Sequence, residues 1–275
     1  AEAYSYFNNM NSSVAYIYGF LPTDFGRVSD AMMESATDNS VYTWENNSIY
    51  YITNGIWSPL KRVDDGWGFW NGVRSANLFL ENFDPKVLER FQYNEDYDEM
   101  IDKASKFSLE VRFLRAFYLF ELAKRYGDIP LITRTYTQEE INSVRKTSFA
   151  DVIDFIAKEC TEITREGGLP EDGVRGETGR VTKGAALALK SRALLYAASD
   201  LHNPAHDLTK WEAAAKAAYE VIKMNKYQLP NVSTDPLYSD LGGNEVLKSK
   251  QLIFERRAIA TTSDFESRNE PMGYE

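Results

Sequence analysis

The chain has 275 residues, enough for one large domain or two small ones and for a sizeable core. Its 41 acidic and 31 basic side chains give a net charge of −10, and the sequence contains no basic cluster. This balance excludes a nucleic-acid backbone as a partner. A single cysteine excludes an internal disulfide framework, and no apolar run reaches the length of a membrane span.

Aromatic residues are abundant, and most of the tryptophans lie early in the chain. The first predicted helix covers residues 4–18, where apolar side chains recur at helical spacing, and it ends near Gly19. Residues 23–54 show no sustained period and are dense in Asn, Ser, Asp and Thr, with aromatic side chains between them. A loop of this length is usually functional or disordered, and its aromatic content argues against disorder.

Helical periodicity returns over residues 56–83, and Pro85 prevents that helix from continuing. Trp57 is expected at the head of this helix. Trp67 and Trp70 are expected on one of its faces, three residues apart. A core stripe is the preferred interpretation for Trp70 and, less strongly, for Trp67.

The longest predicted helix covers residues 97–126, and Gly127 ends it. From residue 109 onward its apolar side chains form two faces rather than one, so it must lie between neighbouring helices. Arg112 and Arg115 are embedded in this apolar helix. We therefore predict that they form ion pairs with carboxylates on neighbouring helices.

Three further helices are predicted, and each starts at a capping residue. Ser148 and Thr182 begin the first two, and the second of these is rich in alanine, which allows close helix packing. Thr209 and Glu212 have the spacing of a capping box at the start of the third. Residues 252–255 predict a short strand.

Consecutive helices joined by short turns, with small and aromatic residues at set positions, predict helix–turn–helix repeats. The predicted fold class is therefore all-α: a tetratricopeptide-like helical repeat scaffold with long loops and one short strand near the C-terminal end. We expect residues 1–275 to form a single domain.

Three patterns that resemble chemical sites are better explained by structure. The glycine-rich residues 167–179 follow a helix and lack the order of a phosphate-binding loop. His202 and His206 have metal-ligand spacing, but Pro204 breaks the helix that this spacing needs. Cys160 lies on an apolar helix face, which predicts a buried and inert thiol. The sequence therefore predicts no cofactor and no metal.

Four blocks of the sequence resemble the SusD/RagB family, in the family's order and spacing. They are residues 70–83 (WNGVRSANLFLENF), 112–133 (RFLRAFYLFELAKRYGDIPLIT), 179–199 (GRVTKGAALALKSRALLYAAS), and 220–229 followed by 252–257 (EVIKMNKYQL, LIFERR). The resemblance implies a lipid-anchored, surface-exposed outer-membrane protein of Bacteroidetes for nutrient uptake. It also implies glycan binding and a SusC-type TonB-dependent transporter as partner.

The sequence departs from the family pattern at both ends. Family members carry a lipidated N-terminal cysteine after a signal peptide, whereas this sequence begins at Ala1 without either. They also continue well beyond Glu275. We therefore expect a trimmed chain that lacks the family's C-terminal portion and that reaches the membrane only through a lipid that is absent from it.

An oligosaccharide site needs flat aromatic faces for the apolar faces of the sugar ring, and amides or carboxylates for the hydroxyl groups. The early loop offers both kinds of side chain. The predicted ligand-binding residues are Asp38, Tyr42, Trp44, Asn46, Trp57 and Trp67. The alternative interpretation is that the loop aromatics only pin the loop to the scaffold. Asn77, on the tryptophan-bearing helix, is predicted to be a buried structural amide.

No catalytic pair of carboxylates is singled out by a motif, and no nucleophile elbow, zincin or dinucleotide signature is present. The sequence therefore predicts a protein that is not an enzyme and that binds a glycan. Two other functions stay open at this point. One is a helical-repeat scaffold that binds proteins and has no glycan site, and the other is a fragment of a helical glycoside hydrolase.

Overall fold

The computed structural model describes residues 2–22, 27–28, 31–43, 47–58, 60, 66–172, 179–229 and 249–256. Its longer helices are α1 (Glu2–Tyr18), α3 (Phe69–Asn82), α4 (Tyr97–Tyr126), α6 (Phe149–Ile163), α7 (Lys183–Ala198) and α8 (Leu208–Lys223). The connections contain the short helices α2 (Tyr50–Thr53) and α5 (Gln138–Ile141), the 3-10 segments Met33–Ala36 and Pro85–Phe91, and the two-residue antiparallel strands β1 (Arg27–Val28) and β2 (Ala31–Met32). The predicted all-α, tetratricopeptide-like fold is confirmed.

Helix α4 is the centre of the fold, and its predicted bounds are confirmed. Its 30 residues give a length of about 45 Å at 1.5 Å per residue. One apolar face contains Phe113 and Phe120, and the other contains Val111 and Tyr118; all four side chains are buried. Helices α1, α3, α6 and α7 pack around it. A helix with two apolar faces is therefore enclosed by neighbours, as its sequence predicted.

Tyr118 shows how closely the helices approach one another. Its hydroxyl donates a hydrogen bond of 2.6 Å to the carbonyl oxygen of Ile17 in α1. Its ring lies against Gly72 of α3, where a Cβ atom would come within 2.6 Å of the ring. Glycine at position 72 therefore lets α3 pack directly against this ring of α4. Burial raises the pKa of the Tyr118 hydroxyl.

The predicted ion pairs of the α4 arginines are confirmed, and both arginines reach α6. Glu159 accepts hydrogen bonds from Arg112 at 2.7 and 3.1 Å and from Arg115 at 2.9 Å, while Glu162 accepts one from Arg112 at 2.5 Å. Asn77 of α3 accepts from Arg115 at 2.9 Å and donates to two carbonyl oxygens after α4, both at 3.1 Å. Asn77 is thus the buried structural amide that the sequence predicted.

These contacts set the ionisation of Glu159. Burial raises the pKa of its carboxyl, but the hydrogen bonds and positive charges of Arg112 and Arg115 outweigh burial and hold the pKa below its ordinary value. A carboxylate that stays ionised beside two guanidinium groups links α4 to α6 through charge-assisted hydrogen bonds.

Of the three helix starts predicted from capping residues, two are confirmed and one is wrong. Ser148 caps α6 by accepting from the backbone N–H of Asp151 at 3.1 Å, and Thr182 caps α7. The capping box predicted at Thr209 is wrong, because Asp207 is the N-cap of α8. Thr209 instead donates to the Asp207 carboxylate through its N–H at 2.9 Å and its hydroxyl at 2.8 Å.

The strand predicted at residues 252–255 is also wrong. This segment is irregular, and two side chains in or next to it contact the helices or their ends. Phe254 meets the ring of Phe113 edge-on, with the ring centroids 5.4 Å apart. Arg256 donates to the carbonyl oxygen of Leu21 at the end of α1. Phe254, in the apolar run 252–254, therefore packs on a helix, and such a run has the same sequence signature as a short buried strand.

Candidate functional site

The described part of the early loop folds around a small cluster of its own. Ile49 is fully buried, and Ala36, Tyr42, Tyr50 and Ile52 pack against it. The hydroxyl of Tyr50 donates to the carbonyl oxygen of Tyr42, which links the two halves of the cluster. Tyr42 is half-buried. It therefore contributes packing to this loop, in agreement with the interpretation that loop aromatics pin the segment in place.

The other loop residues considered for ligand binding differ in where the structure places them. Asp38 is exposed in the bend after the 3-10 segment. Trp44 and Asn46 lie outside the described residues, so their place in a ligand site stays a prediction. Asn47, next to them in sequence, is buried and accepts a hydrogen bond of 3.0 Å from the backbone N–H of Ile49. Asn47 thus has a structural role in the turn.

Trp57 presents its indole to solvent. The side chain is 60% exposed, and the backbone N–H of Trp57 donates to the carbonyl oxygen of Tyr51 at 2.8 Å. The prediction that Trp57 heads a helix is wrong, because it follows the one-turn helix α2 and residues 56–57 are irregular. A tryptophan fixed by its backbone and exposed at its ring has the geometry that a stacking ligand requires.

Trp67 lies just before α3, not on it. The helix begins at Phe69, after a turn in which Gly66 has a φ of +55°. The core interpretation preferred for Trp67 is wrong, because the side chain is 51% exposed. Its ring instead leans on Tyr126 at the last residue of α4, with centroids 5.4 Å apart and planes inclined by 38°. Trp70 packs against the core, as predicted.

The start of α3 is also held against the end of α4 by Arg125. The guanidinium of Arg125 lies 5.3 Å from the ring centroid of Phe69 and bonds to the Glu121 carboxylate at 2.7 Å. Tyr126 was assigned only to the apolar face of α4, so its contact with Trp67 was missed by sequence reasoning. The sequence did contain a signal, because Tyr126 is an aromatic residue in the last turn of α4. If α3 and α4 are antiparallel neighbours, the start of α3 lies next to that end of α4.

The indoles of Trp57 and Trp67 are held by different parts of the molecule. Trp57 follows the cluster around Ile49, and Trp67 leans on the rigid end of α4. Both can offer a flat apolar surface to a ring, and the exposed Asp38 carboxylate can accept hydrogen bonds from hydroxyl groups. The chemistry available from these described residues is stacking and hydrogen bonding.

The residues that resembled metal and redox sites have structural roles. The His202 ring stacks on Phe149, with centroids 3.6 Å apart and planes inclined by 9°. Burial, helped by the charge of Lys210, lowers the pKa of His202. Cys160 is buried as predicted, and burial raises its pKa to about 12. Within the described ranges no three His, Cys, Asp or Glu side chains are grouped to hold a metal ion.

Comparison with known families identifies the family to which this chain belongs. A family model for SusD-like proteins, described as starch-binding and associating with the outer membrane, matches residues 8–195. The chain belongs to the SusD-like family. The family resemblance is therefore confirmed. The first three blocks contain α3 from its second residue, the C-terminal half of α4, and α7. The fourth block lies outside the matched residues.

Solved structures agree with the SusD-like assignment. A SusD-like protein from Bacteroides fragilis has 26% identity and a TM-score of 0.69, and the match covers 92% of this chain and 45% of that one. A laminarin-binding SusD-like protein has 21% identity and a TM-score of 0.64, with 87% and 49% covered. Surface glycan-binding protein A from Bacteroides thetaiotaomicron, in complex with laminarihexaose, has 18% identity and a TM-score of 0.60, with 90% and 48% covered.

The SusD-like chain spans about half the length of the solved structures it matches. None of the curated proteins matches it. In the described part of the chain, none of the helices has both the length and the apolar character needed to cross a bilayer.

Proposed function

We propose that this chain binds an oligosaccharide at the cell surface and delivers it to a SusC-like TonB-dependent transporter of the outer membrane. The observation that carries the proposal is Trp67, half-exposed and supported by Tyr126 on the rigid end of the central helix of a SusD-like fold. An exposed aromatic ring that is held in place can stack on a sugar without losing side-chain freedom on binding.

The proposed ligand-binding residues are the six predicted from the sequence: Asp38, Tyr42, Trp44, Asn46, Trp57 and Trp67. The tryptophans would stack on sugar rings, and the carboxylate and amide would accept or donate hydrogen bonds at the ring edges. Tyr42 would act mainly by holding the segment, because it packs on Ile49. Tyr126 joins the proposal as a positioning residue for Trp67.

The proposed action needs no covalent step and no cofactor, so the protein is proposed not to be an enzyme. A laminarihexaose complex of a structural relative supports a glycan ligand, and that relative is the source of the first ligand to try. Attachment to the outer membrane through an N-terminal lipid, and exposure at the cell surface, belong to the same proposal. The family description supports association with the outer membrane. The lipid and the surface exposure are what the resemblance to the family implies.

Isothermal titration with laminarihexaose and with other oligosaccharides of similar length tests the proposal. We expect binding by at least one of them, and Trp67→Ala is expected to weaken it about tenfold, the effect of losing ~1.4 kcal/mol of stacking. Trp57→Ala should act in the same direction. Tyr93→Ala is the matched control, because Tyr93 is an exposed aromatic residue on the connection before α4.

Three other outcomes would contradict the proposal in different ways. Equal affinity of Trp67→Ala, Trp57→Ala and the control would place the glycan elsewhere. Failure of every glycan to bind, with capture of a transporter from envelope extracts, would favour the protein-binding scaffold. Release of shorter sugars over time would show a hydrolase.

A further inference from the structure

The backbone around Trp67 does little by itself to fix the position of the indole. Trp67 stands between Gly66 and Gly68, and glycine populates more backbone conformations than any other residue. The N–H of Phe69 donates a hydrogen bond of 3.1 Å to the carbonyl oxygen of Gly66, which closes a turn around the tryptophan. The contacts that hold this turn against the helical body therefore determine where the indole lies.

The side chain of Arg125 contacts the turn both before and after Trp67. A Cβ atom on Gly66 would come within 2.7 Å of the Cδ atom of Arg125 and within 3.0 Å of its Nε atom. The guanidinium of the same side chain lies 5.3 Å from the ring centroid of Phe69. One side chain of α4 thus contacts the residue before Trp67 and the second residue after it.

Arg125 is itself held by a buried carboxylate. Glu121 lies one helical turn earlier on α4, and its side chain is 5% exposed. Its carboxylate accepts a hydrogen bond from Arg125 at 2.7 Å, and its backbone carbonyl oxygen accepts another from the same nitrogen at 2.9 Å. Charge-assisted hydrogen bonds are strong, so the aliphatic part of Arg125 has little freedom to move away from Gly66.

We propose that Arg125, oriented by Glu121, is a positioning residue that fixes the turn carrying Trp67 for glycan binding. Arg125 holds the backbone of the turn, and the next residue, Tyr126, supports the ring. Both contacts come from the last turn of the central helix, so the indole is in place before a ligand arrives and loses less freedom on binding. The role in glycan binding rests on the proposed function, whereas the fixing of the ring needs no ligand.

Nuclear magnetic resonance relaxation of the tryptophan indole N–H groups tests the fixing of the ring without a glycan. In Arg125→Ala, the order parameter of the Trp67 indole should fall below about 0.6, the range of a flexible site. That of Trp57, which lies on another segment, should not change. Arg125→Lys keeps an aliphatic stem and a positive charge four residues after Glu121, so it should restore most of the order. An unchanged order parameter for Trp67 in Arg125→Ala would overturn the proposal.

Isothermal titration with a glycan that the unaltered chain binds measures the effect on affinity. Arg125→Ala should weaken binding about two- to tenfold, the effect of ordering a side chain that is no longer held in place. In a Trp67→Ala background the same change should weaken binding no further, because Arg125 acts through that ring. An equal loss in both backgrounds would overturn the proposal.

Arg134→Ala is the matched control for both measurements. Arg134 forms an ion pair with Glu140 at 3.0 Å, and its guanidinium lies 3.9 Å from the ring centroid of Tyr136. It thus makes the same kinds of contact as Arg125, but on the segment that follows α4. Its removal should change neither the order of the Trp67 indole nor the affinity.

The two glycines beside Trp67 give a second matched pair. Gly66→Ala should loosen the ring, because Gly66 has a φ of +55° and a Cβ atom there would meet the anchored stem of Arg125. Gly68→Ala should leave the ring in place, because Gly68 has a φ of −57° and a Cβ atom there would meet none of the described atoms within 4 Å. Equal loosening by both variants would contradict the role of Arg125. If no glycan binds the unaltered chain, the proposed function fails, and the relaxation measurements still decide whether Arg125 fixes the ring.

Discussion

Two regions of this molecule use aromatic residues in opposite ways. In the helical body, formed by α1, α3, α4, α6 and α7, rings such as Tyr118 are enclosed on every side and their polar atoms are bonded. In the aromatic segment, formed by the described residues of 31–58, Ile49 is fully buried and Trp57 is exposed. The first use gives rigidity, and the second leaves rings available to a ligand.

The difference shows how one fold can supply both a stable frame and a binding surface. Loops with few buried contacts carry binding residues more often than packed cores do, and they open more easily. Trp67 stands at the boundary, because its ring is half-exposed and rests on Tyr126 of the body. We therefore expect that changes in the body affect global stability, and that changes in the aromatic segment affect binding.

The largest effect is expected from removing the shared carboxylate of the body. Glu159→Ala leaves Arg112 and Arg115 without their common partner in a buried site, which should lower the free energy of unfolding by about 3–5 kcal/mol. Chemical denaturation followed by circular dichroism measures this loss. Glu159→Gln, which keeps the shape and a carbonyl acceptor, should lose less. Equal losses for the two variants would mean that packing rather than charge is responsible.

A matched pair of isoleucines separates the two regions directly. Ile156 of α6 and Ile49 of the aromatic segment are both fully buried. Ile156→Ala should lower the free energy of global unfolding by about 2–5 kcal/mol, because it leaves a cavity in the body. Ile49→Ala should change global unfolding by less than about 0.5 kcal/mol and should instead speed amide exchange within residues 47–58. Similar global losses for both would show that the segment unfolds together with the body.

The smallest expected effect is a dependence on pH, and it belongs to the body. The pKa of Glu159 is held below its ordinary value in the folded chain, so its contribution to stability is complete above the unfolded pKa of about 4.3. That contribution is lost as the pH falls through the folded pKa. The stability difference between the unaltered chain and Glu159→Gln should therefore shrink from pH 6 to pH 3, as measured by denaturation at each pH. A constant difference would contradict this ionisation.

The features predicted well from the sequence are helices with a sustained apolar pattern and charged side chains that need an ion-pair partner. The bounds of α4 follow from its apolar pattern and from Gly127, and the pairing of Arg112 follows from a charge in an apolar helix. The start of α3 could not be predicted, because periodicity continues through Trp67, whereas the left-handed turn at Gly66 sets where the helix begins. Periodicity reports apolar spacing and does not report where the backbone turns.

The candidate site was only partly predictable for a related reason. Tryptophan is suited equally to a core and to a stacking surface, so the sequence alone favoured burial for Trp67. The contact that holds it comes from Tyr126, which is 59 residues further along the chain. Likewise, Thr209 and Glu212 have the letters of a capping box, but Asp207 lies two residues earlier and takes the role. When two residues near a helix start could both act as the N-cap, the backbone turn before the helix determines which of them does.

The segment at residues 249–256 has a consequence for how the chain folds. The hydrogen bond from Arg256 to Leu21 joins residues 235 positions apart, whereas α3 with α4 and α7 with α8 are pairs formed by consecutive helices. Contacts between near neighbours in sequence form quickly, and contacts that close a long loop form slowly. The helices should therefore assemble first, and Phe254 should settle on Phe113 as a late step of folding that follows the formation of the surface it covers.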